Sequence, residues 1–110
     1  MPYQVTELIP WGFEALDVTA VAAGLTAGVY SPAAGPADAA RVTLETGSIR
    51  TRVDGVAPTA TVGTPWDDGD KFWLRSRSEI AAFKAILKTG AASAKIQVEY
   101  FKFVLQAREN

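Results

Sequence analysis

The chain contains no cysteine and no histidine, and these two absences exclude a great deal. Without cysteine there are no disulfides and no thiolate metal sites, and redox chemistry says nothing about compartment. Without histidine the chain lacks both the side chain best suited to proton transfer near neutral pH and the commonest metal ligand. Ser-His-Asp and Cys-His nucleophile arrangements are therefore impossible, as is any His-ligated zinc or iron site. Carboxylate pairs, lysine, tyrosine or a magnesium site are what remain for an enzyme, and none forms a recognisable catalytic set. The expectation is a protein with no catalytic residues, no cofactor and no metal, which works by binding other proteins.

Positive charge is also missing from a long stretch. Residues 1–40 carry Glu7, Glu14, Asp17 and Asp38 and no Lys or Arg, whereas the other seventy hold all eleven basic residues against eight acidic ones. The net charge of −1 argues against sequence-specific nucleic-acid binding. With no basic leader and no apolar run of membrane-spanning length, the expectation is no signal peptide, no membrane partner and synthesis in the cytoplasm. At 110 residues, 48% hydrophobic and 21% charged, the chain has the size and balance of one globular domain.

Period-two patterning dominates what is present. Tyr3 to Ile9, bracketed by Pro2 and Pro10, reads as an extended N-terminal arm (1–11) or edge strand, ahead of a single domain over 12–110. Phe13 to Val21 is compatible with strand. Ala22 to Ala40 is rich in Ala, Gly and Pro, and reads as a short strand near Leu25 to Tyr30 followed by a loop. Arg41–Glu45 and Ile49–Val53 alternate on either side of Thr46-Gly47-Ser48, with Ile49 and Val53 inward, which predicts a β-hairpin. Lys71–Ser76 places Phe72 and Leu74 on one side and Trp73 on the other. Ser78 followed by Glu79 predicts the cap of a helical turn near 78–82. Phe83–Leu87 alternates again, and Ala94–Tyr100 is the strongest strand, with Ile96, Val98 and Tyr100 inward. The apolar tail to Leu105 continues it, with a bulge that changes the inward face. Seven or eight short strands joined by turns predict an all-β fold, an antiparallel β-sandwich or jelly-roll-like barrel.

Three groups of residues are candidates for binding. Asp67, Asp68 and Asp70 form a dense carboxylate cluster of the kind hard cations take, but D-D-G-D lacks the closing ligand of a calcium loop and reads as a solvated turn. Arg50 and Arg52, with Lys71, Arg75 and Arg77, form a basic stripe if their strands are neighbours. Trp11, Trp66 and Trp73 are large aromatics suited to interfaces or sugar stacking, with Trp73 expected outward. Tyr3 and Trp11 are the expected anchors of the N-terminal arm, which suits strand addition to a neighbour.

From Val42 to Tyr100 the sequence runs "VTLETGSIRTRVDG", "APTATVG", "GDKFWL" and "EIAAFKAILKTGAASAKIQVEYF", preceded by "LTAGVYSP". In this order it resembles small structural proteins encoded in the structural gene clusters of tailed bacteriophages and prophages, over roughly residues 18–103. The resemblance implies a virion component: most directly a head decoration or cement protein bridging subunits of the major capsid protein and self-associating in the particle, or else a tail or head–tail junction component. It carries no catalytic motif. The expectation from another class is a carbohydrate-binding module that stacks sugar on Trp66, Trp73 or Trp11.

Overall fold

The computed structural model describes residues 3–33 and 35–108, and side-chain surroundings over 7–33 and 35–104. The strands are β1 (Tyr3–Val18), β2 (Ala23–Gly24), β3 (Ala39–Thr46), β4 (Ile49–Arg52), β5 (Thr64–Trp66), β6 (Lys71–Leu74), β7 (Lys84–Leu87) and β8 (Ala94–Arg108), with single helical turns α1 (Ala27–Tyr30) and α2 (Arg77–Ala82). They form two four-stranded sheets in the orders β1-β8-β3-β6 and β2-β7-β4-β5, and every ladder is antiparallel.

The pairing has a simple logic. β1 pairs with β8, β2 with β7, β3 with β6 and β4 with β5, as in one long hairpin folded at the loop 53–63. Rolling that hairpin brings β3 against β8 and β4 against β7, which closes two sheets face to face. This strand order is the eight-stranded jelly roll.

Each inner face follows from the alternation in the sequence. Val42 and Leu44 of β3, Leu74 of β6, and Ile96, Val98 and Tyr100 of β8 meet Ile49 and Ala85 of the second sheet in one core. Ile80 and Phe83, from α2 and its end, complete it. Burying each of the larger side chains contributes about 1.5–3 kcal/mol. Tyr100 also needs a partner for its hydroxyl. It donates to Glu14 Oε2 at 2.5 Å, and burial together with that carboxylate raises its pKa far above the ordinary tyrosine value. Glu14 also accepts from the Thr26 amide, so one carboxylate ties β1, β8 and the segment leading into α1.

Four local expectations are corrected. β3 and β4 do not form a hairpin: the bend at 46–48 carries the chain from one sheet to the other. Alternation reports that a segment is a half-buried strand and is silent on which strand it pairs with. Leu25 to Tyr30 ends in a helical turn: Gly28 weakens a strand there, and Thr26 O accepts the amides of Val29 and Tyr30. The α2 cap is Ser76, whose Oγ accepts from the Glu79 amide at 3.1 Å. Val53 lies beyond the end of β4 and is exposed.

The change of inward face near the C-terminus comes from the partner strand. Pro10 faces Phe101 and Gly12 faces Tyr100, so Trp11 is the extra residue of a bulge in β1. Tyr100 and Phe101 can then both be buried, from opposite faces of β8. Pro10 does not end β1, because it sits on an edge strand where no second ladder needs its missing donor.

Candidate interaction surface

β3 joins β8 only as far as Phe101, opposite Ala39. Beyond it, residues 102–108 of β8 pair with 3–9 of β1 alone, so the two strands leave the sandwich as a ribbon along a molecule measuring 57 × 27 × 22 Å. Asp38 marks the point of departure. Its amide donates to Phe101 O. One carboxylate oxygen then accepts the Phe103 amide at 2.9 Å, where the β3 ladder would have continued, and the other accepts from Arg77 Nε at 2.7 Å.

Among the described residues one face of the ribbon is apolar and the other mixes apolar with charged side chains, Ile9 facing Lys102 and Val104 facing Glu7. Leu8 stands opposite Phe103 on one face, while Ile9 and Val104 lie on the other, all exposed. On the second face the Lys102 ammonium sits 4.8 Å from the centre of the Trp11 ring. The first face runs onto the outside of the sandwich, where Leu8, Ala39, Trp73, Arg75 and Phe103 line a shallow depression of about 220 Å³. Trp73 packs on Phe101 with ring centres 5.3 Å apart. Arg41 lies over both rings while paired to Glu99 at 2.6 Å.

Past Trp73 the surface turns over β6 into a groove of about 470 Å³ between the edges of the two sheets, its rim carrying Arg52, Arg75 and Glu79 and its wall Trp66, Phe72 and Leu74. Trp66 closes the core there. Its ring stacks on Phe72 at 4.2 Å and its Nε1 donates to Thr51 Oγ1 at 2.9 Å.

Of the residues singled out in the sequence, Arg52, Trp66, Trp73 and Arg75 converge on this groove. The expected basic stripe does not form, because β4 and β6 belong to different sheets. Arg50 instead braces the loop 53–63 by donating to Ala60 O and Gly63 O. Arg52 pairs with Asp54, and Arg77 is held by Asp38. Tyr3 lies in β1 opposite Arg108, and its side chain falls outside the described residues. Asp67, Asp68 and Asp70 occupy a tight turn in which two of the carboxylates are used locally: Ser48 Oγ donates to Asp67 and the Asp67 amide donates to Asp70. Among the described residues no group of three or more acidic side chains converges as a metal site, and no helix is long and apolar enough to cross a membrane.

The sequence marks the arm 1–11 as an interaction segment and the apolar C-terminal stretch as a continuation of the last strand. Adjacent apolar residues do not say which of them face solvent, so Leu8, Ile9, Phe103 and Val104 are not singled out there. Only the pairing of the two terminal segments reveals them. Compared with protein-family models, curated proteins and solved structures, the chain matches none.

The Asp38 clasp makes a prediction about acid. The Phe103 amide and the Arg77 guanidinium hold its carboxyl below the usual carboxylate range. A depressed folded-state pKa contributes stability that is complete above the unfolded value, about 3.9, and is lost as pH falls through the folded value. Asp54, held down to about 2 by Arg52, acts in the same direction but in open solvent, where screening weakens it. Asp38→Asn is expected to be less stable than the parent at pH 7 and to lose less on acidification below pH ~4. Urea unfolding at a series of pH values measures this, and parallel curves for the two proteins would refute the clasp.

Proposed function

We propose that this chain is a structural protein of a tailed-phage particle, a head decoration protein that docks through the β1/β8 ribbon and the apolar face around Trp73. The observation that carries the proposal is the ribbon itself. A two-stranded ribbon is marginal in water, and this one displays apolar side chains on both faces, an arrangement that needs a partner to cover it. The phage assignment draws on the resemblance of residues 18–103. The jelly-roll order is compatible with it, since that architecture recurs in viral capsid proteins, although it serves lectins equally well. A head–tail junction or tail position would use the same surface on a different neighbour. Repeated modest contacts around a symmetric shell add up through effective concentration.

Because the N-terminal arm is one strand of a paired ribbon, deleting residues 2–9 would also strip the partner from β8. The cleaner test is Leu8→Thr with Phe103→Thr, a directly opposed pair in residues that keep strand propensity. If each anchor is worth about 1–2 kcal/mol, the double variant binds particles roughly 30- to 1000-fold more weakly with its melting temperature nearly unchanged. Co-sedimentation with particles of the phage whose structural genes adjoin this one measures it. Undiminished binding would overturn the ribbon as the docking element.

One observation favours a second reading, a carbohydrate-binding module: Trp73 is 44% exposed beside a groove with charged rims. That reading predicts the reverse pattern, with Trp73→Ala abolishing retention on a polysaccharide column and the Leu8/Phe103 variant retained.

A further inference from the structure

The two edges of the larger sheet differ in charge. The β1 edge carries Glu7, Glu14 and Asp17 and no basic residue, whereas β6 carries Lys71 and no acidic one, flanked by Asp70 before it and by Arg75 after it, whose amide donates to Glu79 Oε1. Both edges are open. Apart from the ladder with β8, no backbone hydrogen bond involves β1 among the described residues, and β6 makes none beyond its ladder with β3. An unpaired edge is a template for another strand.

A row of outward side chains crosses the sheet between these edges. Phe13 faces Glu99, Glu99 faces Arg41, and Arg41 faces Trp73. The row begins and ends in an exposed aromatic, Phe13 on β1 and Trp73 on β6, with the Arg41–Glu99 ion pair between them.

We propose that copies of this chain associate head to tail, the β6 edge of one molecule pairing with the β1 edge of the next, so that the sheet continues from copy to copy. Strand direction permits it. β1, β8, β3 and β6 alternate in direction, so a following β1 in the same orientation meets β6 antiparallel. With Trp73 opposite Phe13 of the second copy, Lys71 falls opposite Ala15 and one diagonal from Asp17, within reach of a long side chain. Pairing β1 with another β1 would instead oppose acidic strands, and pairing β6 with β6 would oppose basic ones. The contact uses different patches on its two sides, so it does not stop at a dimer. It closes into a ring or runs on as a filament. This inference stands on the sheet edges alone and does not depend on what the ribbon binds.

Sedimentation velocity over a concentration series tests it. The parent protein is expected to grow past dimer as concentration rises, and less so at high salt. Asp17→Lys and Lys71→Glu each place like charges across the contact and are expected to weaken association about tenfold. Combined in one chain, they restore opposite charges and recover most of the loss. Both positions are exposed, so monomer stability serves as the control and should be unchanged. A protein that stays monomeric at millimolar concentration, that stops at dimer, or in which the double variant is no better than either single one overturns the proposal. Loss of particle binding by the Leu8/Phe103 variant alongside unchanged self-association would show the two surfaces to be separate.

Discussion

Gly47→Ala is expected to destabilise the fold by about 3 kcal/mol or more, on the order of 15 °C in melting temperature for a domain of this size. Gly47 turns the chain from β3 into β4 with φ at +92°, and an added Cβ would stand 2.2 Å from Ser93 O and 2.6 Å from Ala94 Cβ. Two costs combine: a left-handed conformation that a side chain resists by about 1–2 kcal/mol, and overpacking of about 1–3 kcal/mol. Relief is difficult because the clash is with backbone at the start of β8, which is fixed by its ladders to β1 and β3. Gly55→Ala is the control. Its φ is +85°, yet nothing lies within 4 Å of the added carbon, so only the conformational cost applies. Equal chemical denaturation midpoints for the two variants would show that the corner relaxes and that the close approach is not essential.

Trp66→Ala should be nearly as damaging, at about 3 kcal/mol. The ring covers Phe72, which in turn packs on Phe83 with centres 6.0 Å apart, so its loss opens the core between the sheets to the groove. It also strands the Thr51 hydroxyl, in a residue only 5% exposed, and an unsatisfied buried hydroxyl costs about 1–3 kcal/mol. Trp66→Phe keeps the stack but still strands the Thr51 hydroxyl, so it should recover only the packing part of the difference and fall between Trp66→Ala and the parent. Differential scanning calorimetry of the three proteins checks the order. A Trp66→Ala protein as stable as the parent would mean that the ring is surface rather than lid, and would return Trp66 to the set of possible sugar platforms.

The sequence made the class of fold legible and left its connectivity hidden, and the physical reason is the same at each site. Alternation at Val42 and Leu44, and at Ile96, Val98 and Tyr100, reports which side of a strand is dry, and those residues are in the core. It cannot report partners, so β3 and β4 read as a hairpin although they lie in different sheets. The same blindness produced the expected stripe of Arg50, Arg52 and Arg75: period two fixes a face only within one sheet. Trp73 was legible as outward because Phe72 and Leu74 claim the other side. Leu8 was legible only as part of an interaction arm; its pairing with Phe103 and the exposure of both were not, because they depend on β3 ending at Ala39 and on Asp38 capping the ladder beyond it. Those are tertiary facts separated by dozens of residues.

The rolled-hairpin pairing has a consequence for how the chain finds its structure. Its ladders are nested, with β4–β5 inside β3–β6, that inside β2–β7, and β1–β8 outermost. Closing β1–β8 first would confine most of the chain in one loop for no shorter-range gain. Closing β4–β5 first, across the loop 53–63, shortens the effective span of every ladder outside it, and each doubling of span avoided is worth about 0.6 kcal/mol of closure entropy. The cheapest route therefore zips outward from the loop 53–63. The strands that carry the exposed ribbon are the last to be assembled, and on the millisecond-to-second scale of topologies dominated by distant contacts they spend the longest time unpaired.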